Sequence, residues 1–523
     1  MKKPSKHNYR EQNLANRNVI GQSLDSLGQR LNRSSIRGSS TNVLNVNLHS
    51  NNDDRDSTFS GLKCRHTSAT KAAIAAGLGI SSLVWVNAVQ AAGFAIIEHS
   101  ASGMGNAYAG GGAVAEDAST IYFNPAGMTR LQGKQISGAG HLIVPSSQFS
   151  NKGSATSSST GNQPLLGSED DGGKSAFVPN FYYVQDINQQ WTFGVGVNAP
   201  FGLEIVYDDD WVGRYHAVKS ALLSVNINPS LAFKVNPQLS LGFGVSAQYV
   251  DVELSSAIDM GSVCRGQELL GTIPVGTCAA LGSGPQENDG FNEVTGDSWD
   301  YGYNLGLLYE WSPGSRLGFH YRSSIEHRIE GKGDFTVPGS LAFLTQTGRF
   351  TDANAAADLE LPDSISLSYF HELTPKLAVM ADWTLTKWSK FKELRIVYDS
   401  PQPDTVTTED WDDSNRISVG LNYKLDTVRM LRFGLAHDQT PVPNAERRTP
   451  RLPGDNRTWI SFGFNVKPTK DISLDFGYAH LFVTDAKINN EFESSAAATL
   501  EHTLSGSYDA KVDIFSAQLN WNF

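Results

Sequence analysis

The chain offers few residues arranged for covalent chemistry. A hydrolase needs a nucleophile, a His base and a polar group that orients the base. No G-x-S-x-G occurs, and the twelve His are scattered without an HExxH or a paired metal motif. His320 and His327 share an expected strand but fall on its opposite faces. The Gly-rich run Ser102-Gly-Met104-Gly-Asn106-Ala-Tyr108-Ala-Gly110-Gly-Gly has the look of a nucleotide-phosphate loop, yet no strand precedes it and no βαβ unit follows. The reading is therefore no enzyme, no metal and no cofactor.

Two further groups invite chemistry and read as structure. Cys264 and Cys278 lie in the longest expected loop. A disulfide between them closes about 15 residues and contributes roughly 3 kcal/mol on the chain-entropy account. Two free thiols are the other reading, disfavoured in an oxidising compartment. The acidic runs Asp208-Asp209-Asp210 and Glu409-Asp410-Trp-Asp412-Asp413 have the composition of divalent-cation ligands or, more simply, of solvated loop charge.

Composition narrows the class. Of 523 residues, 40% are hydrophobic and 18% charged, with 49 Gly. A multi-span helical membrane protein needs repeated apolar runs of roughly 20 residues, which are missing; a membrane β-barrel alternates and averages out. Residues 1–91 carry 12 basic and 5 acidic residues, and the remainder 30 and 49. So acidic a body is a poor nucleic-acid binder. Three Cys exclude a disulfide-dense scaffold.

Residues 1–62 are polar, Asn- and Ser-rich and without apolar periodicity, which reads as a disordered extension. Residues 63–91 read as a signal peptide. Lys63, Arg65 and Lys71 precede the apolar stretch Ala72 to Val89, and small residues at Ala91-Ala92 suit cleavage after Ala91. Cys64 is not a lipoprotein cysteine on this reading, because Lys63 stands where a small residue is expected.

From residue 135 to 523 period-2 segments recur. Fourteen are expected: 135–145, 177–187, 191–201, 222–235, 239–258, 299–312, 315–335, 357–373, 377–398, 415–425, 428–441, 458–468, 472–484 and 510–523, the ninth kinked near Lys387 to Phe391. Their connections alternate strictly between short and long. An outer-membrane barrel has short periplasmic turns and long external loops, and an even strand number lets it close without an edge. The fold class expected is all-β: a 14-stranded antiparallel transmembrane β-barrel in the outer membrane of a Gram-negative cell. Trp191, Tyr249, Trp299, Trp311, Trp388, Trp459 and Trp521, near strand ends, suit interfacial girdles. The last strand alternates Phe515, Ala517, Leu519, Trp521 and stops on Phe523, which resembles the signal read by the barrel assembly machinery. Residues 92–134 are rich in small residues and do not read as strand pairs; a compact hatch plugging the lumen is their natural use.

Several motifs in order carry a family resemblance. They are Ala92-Gly-Phe94, Asn124-Pro125-Ala126, Asn198-Ala-Pro200-Phe201-Gly202-Leu203, Trp211-Val-Gly213-Arg214-Tyr215, Asn228-Pro229-Ser230, Leu361-Pro362-Asp363-Ser364, Thr440-Pro441-Val-Pro443 and Arg448-Thr-Pro450-Arg-Leu-Pro453. Over 92–523 the chain resembles the FadL-type transporters of long-chain fatty acids. The resemblance implies a monomer that takes up a long-chain fatty acid or another hydrophobic small molecule passively, amid outer-membrane lipid and lipopolysaccharide. Cargo is captured at the outer loops, passes to a pocket beside the mature N-terminus, and leaves sideways where the third strand kinks. Pro200, Phe201 and Gly202 would form that gate, with Asn124-Pro125-Ala126 facing it; from the residues alone, Pro200-Phe-Gly reads equally as the end of the strand.

In the pocket the resemblance places Phe94 and Glu409 at substrate-binding positions. The family's clamping Arg and Lys fall near Ser256 and Thr407 here, so the cationic clamp is expected to be missing. A carboxylate without a cation in an apolar pocket is costly to desolvate, which raises neutral ligands such as aromatic hydrocarbons, alkanes or lipid esters. Arg395, Lys390 or Lys392 are the expected substitutes, with solvated rim charge as the plainer reading. An aqueous porin and an outer-membrane enzyme are the rival functions; the hatch argues against the first and the absent motifs against the second.

Overall fold

A computed structural model describes residues 93–493 and 498–523. The polar extension, the signal peptide and its cleavage point after Ala91, Cys64 and Ala92 lie outside the described residues.

One antiparallel sheet closes on itself. Its fourteen staves are β1 (Lys134–Asn151), β2 (Ala176–Asp186), β3 (Trp191–Asn198 and Gly202–Val206), β4 (Lys219–Lys234), β5 (Leu239–Ile258), β6 (Gly290–Ser312) and β7 (Ser315–Arg322 and Ile325–Thr336). Then come β8 (Ala353–Leu361 and Ser364–Glu372), β9 (Leu377–Thr386 and Glu393–Tyr398), β10 (Thr405–Thr408 and Ser414–Lys424), β11 (Arg429–Asp438), β12 (Arg457–Val466), β13 (Ile472–Val483 and Ala486–Glu491) and β14 (Thr503–Asn522). Closure is the long ladder of β1 on β14, from Gln135↔Asn522 to Asn151↔Gly506. Hence no strand edge is left along this seam. The short turns, the start of β1 and the end of β14 gather at one rim, the periplasmic one in barrels of this kind.

The burial pattern inverts that of a soluble sheet. On β14, Phe515 and Leu519 are 51% and 46% exposed, while Ser516 and Gln518 are 7% and 4% exposed. On β5, Leu241, Phe243 and Val245 face out while Ser246 and Gln248 are buried. Apolar-out and polar-in is stable only where the surroundings are lipid. No helix among the described residues is long and apolar enough to span a bilayer, so the strands make the crossing.

The fourteen expected segments correspond to these staves, and the differences have physical causes. β6 starts at Gly290, nine positions before the expected 299, because it continues beyond the apolar belt as a ladder with β5 and β7. There the outward face meets water and loses its apolar alternation. β7 breaks at Ser323–Ser324, which resets the alternation, so His320 and His327 are both buried rather than on opposite faces. Trp191, Trp299 and Trp311 are exposed as girdle residues require, but Trp388 and Trp459 are buried inside, against Phe94 and Tyr108 respectively.

Residues 93–133 form short helical turns (Ala101–Met104, Gly111–Val114, Thr120–Phe123 and Pro125–Arg130) and fill the lumen. Inward-facing glycines of the wall give them room. A Cβ at Gly242 would strike the Ala126 backbone, one at Gly318 the Gly112 carbonyl, and one at Gly434 the Asn106 backbone. Polar anchors add to the seat. Asn106 Nδ2 donates to Asn422 at 3.1 Å, the Ala101 amide to Gln518 at 2.8 Å, and Arg432 pairs with both Glu116 and Asp475. The glycines were counted in the sequence, but which of them face a partner is set by the barrel alone.

Candidate functional site

Six strands are interrupted: β3 at 199–201, β7 at 323–324, β8 at 362–363, β9 at 387–392, β10 at 409–413 and β13 at 484–485. A continuous ladder keeps its backbone in the wall. Side chains that must reach the lumen axis therefore come from interruptions. β9 supplies Trp388 and Phe391, β10 supplies Trp411, β3 supplies Phe201, and the N-terminal segment supplies Phe94. Phe94 lies 4.8 Å from Trp388, 5.9 Å from Trp411, 6.0 Å from Phe201 and 6.1 Å from Phe391, centroid to centroid. All five rings are buried. They form a partition across the lumen.

Above the partition lies a cavity of about 800 Å³, walled by Leu203, Leu222, Ile329, Leu359, Ile396 and their apolar neighbours and floored by Phe94. Among the described residues, two charged side chains border it, Glu409 and Arg451. Glu409 is buried; its carboxylate accepts from Trp411 Nε1 at 2.8 Å. Burial pushes its pKa up to about 8, against the pull of the Trp411 hydrogen bond and of Arg451. Arg451 donates to the carbonyls of Lys219 and His216, both at 3.1 Å, and to Ser220 Oγ at 2.8 Å. Desolvation lowers its pKa to about 10, which leaves it a cation at neutral pH.

The structure thus brings Phe94 and Glu409 together at one cavity and adds Arg451, which the sequence reading quoted within a motif but gave no role. The expected substitutes are elsewhere. Lys390 is paired with Glu360 and Asp363, Arg395 with Glu393 and Asp404, and Lys392 is exposed. Ser256 and Thr407 line a second, outer cavity of about 1090 Å³, and Arg451 borders both cavities. Positions 256 and 407 carry no cation, and Arg451 of the β11–β12 loop borders the cavity.

The ladder between β2 and β3 is incomplete. β2 pairs with β3 only from Phe181↔Val197 to Asp186↔Thr192, so Ala176–Asn180 have β1 on one side and no β3 on the other. β3 is interrupted at Ala199-Pro200-Phe201, where Pro200 has no amide hydrogen to donate. The N-terminal segment takes the vacated edge. Ile96 N donates to Pro200 O and Gly202 N to Phe94 O, both at 2.9 Å, with Ala95 opposite Phe201. Asn180 Nδ2 donates to the Glu98 carbonyl at 2.8 Å. Asn124-Pro125-Ala126 does not face this gap. Asn124 Nδ2 donates to the carbonyls of Gly112 (2.7 Å) and Leu307 (3.0 Å), its Oδ1 accepts from Ala126 N, and the three residues sit on β5 and β6. Asn capping of the turn at Pro125–Arg130 fixes that place.

Cys264 and Cys278 are disulfide-bonded in the β5–β6 loop, joining the helix Met260–Leu269 to the next turn. The acidic runs are dispersed. Glu409 points inward, Asp413 pairs with Lys387, Asp410 pairs with Arg447, and Asp208 stays in an exposed loop. No group of three or more His, Cys, Asp or Glu among the described residues has the geometry of a metal site.

A closed, lipid-facing barrel of fourteen strands with an occupied lumen is the architecture of an outer-membrane β-barrel. Residues 82–523 match the family described as outer membrane protein transport protein (OMPP1/FadL/TodX), and the chain belongs to it. It is 30% identical over 466 residues to outer membrane protein P1 of Haemophilus influenzae, covering 85% of this chain and 98% of that one. It is 30% identical over 449 residues to the long-chain fatty acid transport protein of Escherichia coli K12, covering 82% and 96%. In fold it is similar to the crystal structure of a Pseudomonas aeruginosa FadL homologue (TM-score 0.74, 24% identity, 83% of this chain and 100% of that). It is also similar to the Pseudomonas putida toluene transporter TodX (TM-score 0.57, 16% identity, 78% and 94%).

Proposed function

We propose that this protein carries long-chain fatty acids passively across the outer membrane, in three stages. Cargo enters from the outer cavity, lodges above the aromatic partition, and leaves sideways through the β2–β3 gap into the lipid. Residues 92–134 act as a hatch that closes the aqueous path. No covalent step is involved. The observation that carries this reading is the apolar cavity bordered by Arg451 and by the buried Glu409, whose pKa burial raises. An alkyl chain gains about 0.8 kcal/mol per buried methylene. A carboxylate entering such a site needs one cation and no competing anion. Related proteins named for fatty acids support this choice over toluene, whose transporters share the fold at lower identity.

The sign of the pH dependence follows. Because the pKa of Glu409 is raised, its carboxyl is neutral below about 8 and adds no repulsion to a bound carboxylate. As pH rises through that value Glu409 ionises, pairs with Arg451 and opposes the ligand. Oleate affinity is expected to hold between pH 6 and 7.5 and then fall toward about tenfold per pH unit, the limit for one coupled proton. Glu409→Gln should flatten the profile, and toluene binding should show no such slope. Titration of the purified protein with each ligand across pH tests the reading; a flat oleate profile for the wild type removes the role of Glu409.

The hatch has its own test. Gly434→Val puts two methyl groups where the Asn106 backbone passes. Overpacking of this kind costs about 1–3 kcal/mol, charged to the seat of the hatch because valine suits the strand itself. Single-channel recordings should show ion conductance in the variant and a closed baseline in the wild type, with heat-modifiable barrel mobility on gels unchanged. Equal conductance in both would mean that 92–134 does not seal the lumen.

A further inference from the structure

Below the partition lies another cavity of about 990 Å³, between the aromatic rings and the hatch turns. Its two sides differ in chemistry. One is apolar and follows the wall gap: Ala95, Ile96, Ile97, Phe123, Pro200 and Phe201. The other, from β7 to β11, carries His320, Arg322, Asp382, Arg416 and Asp438.

The two guanidinium groups are buried without an ion pair among the described residues. Arg322 donates to the Tyr122 carbonyl at 3.1 Å and lies over that ring at 4.3 Å. Arg416 donates to the Ala107 carbonyl at 2.9 Å and lies 5.1 Å over the Trp459 ring. By contrast, Asp382 already accepts from the hydroxyls of Ser368 and Thr384, and Asp438 stands opposite Arg457 as well as Arg416 in the register. Two buried nitrogens bordering the cavity, His320 Nε2 and Arg416 Nε, have no hydrogen-bond partner among the described residues. Buried polar nitrogens of this kind are costly to leave unpaired. Cations and unpaired nitrogens on one wall, with an apolar wall opposite, fit an amphiphile with an anionic head.

We propose that this lower cavity is a second ligand station, in which Arg322 and Arg416 take the carboxylate of a long-chain amphiphile while its tail lies along the Pro200–Phe201 wall. This rests on the fatty-acid reading above. The station explains how cargo leaves the Arg451 site without carrying a bare carboxylate through an apolar partition edge: the head passes from one cation to a pair of cations, and the tail meets the gap first. Neutral hydrocarbons would find no hold there.

Two measurements test it. In crystals grown with a brominated long-chain carboxylate, the bromine and head group should appear both above and below the partition. Equilibrium dialysis of the purified protein with oleate should give two sites in the wild type, one in Arg416→Met and one in Arg322→Met, with oleate uptake by cells reduced in both. Arg416→Lys, which keeps a charged donor beside Ala107, should keep both sites; this separates head-group binding from a loosened hatch. Arg451→Met should lose the upper site and keep the lower one. A single wild-type site that survives Arg416→Met and Arg322→Met overturns the lower station and leaves the transport reading standing. No oleate site in the wild type overturns the transport reading itself.

Discussion

Oxidised cells carrying Ala95→Cys with Phe201→Cys are expected to take up oleate no faster than cells lacking the protein, with reductant restoring uptake. This is expected because Ala95 and Phe201 face each other across an antiparallel bridge whose hydrogen bonds flank the pair. Pairs of that kind bring their Cα atoms to about 4.5 Å, within the span a disulfide closes. The bond would pin the N-terminal segment to β3. Phe94, one residue away, then stays wedged among Trp388, Trp411 and Phe391. Cargo above the partition cannot reach the wall gap unless Phe94 moves. The reduced double variant and the Phe201→Cys single variant measure the loss due to the missing Phe201 ring, and the Ala95→Cys single variant measures any effect of the other substitution. The wild type treated with the same reductant controls for the Cys264–Cys278 bond. Uptake at the wild-type rate with the new bond formed would show that the route does not run past Phe94.

Arg451→Met is expected to weaken oleate binding at the upper cavity by at least about 30-fold and to leave toluene binding in place. Removing one partner of a buried, hydrogen-bonded charge pair costs roughly 2–5 kcal/mol, much of it from the charge left alone, and each 1.4 kcal/mol is tenfold in affinity. Here the stranded charge would be the ligand's carboxylate, facing Leu and Ile side chains. Arg451→Lys keeps the charge but loses the fork that reaches Lys219, His216 and Ser220 together, so an intermediate loss is expected. If oleate and toluene weaken equally in Arg451→Met, the side chain holds the loop rather than the cargo. If neither weakens, the ligand is a neutral hydrocarbon or binds elsewhere.

The three cavities and the partition explain why this family fold tolerates so many polar residues within a path for greasy molecules. The wall needs inward polar groups to satisfy one another, as Ser137 with Asn520 and Ser366 with Thr384 do. The cavity above the partition turns apolar where strand residues such as Leu222, Ile329 and Leu359 face inward together with Phe94 and Phe391.

The amino-acid sequence by itself determined the staves. Period-2 alternation, short and long connections in turn, and a terminal Phe523 are local patterns, and local pleating converts them to strands whatever lies across the lumen. It set the segment before β1 apart from the strand pairs, though Ala95 bridges Phe201, and it singled out Phe94 and Glu409 through resemblance. Only the closed barrel decided which distant residues meet. Arg451 is more than three hundred positions from Phe94, and nothing in its neighbourhood along the chain reveals that it borders the same cavity. The place of Asn124-Pro125-Ala126 on β5 and β6, the inward turn of Trp388, and the pairing of Ala95 with Phe201 likewise depend on register around the circumference. A period fixes which face a side chain takes; only closure fixes what stands opposite it.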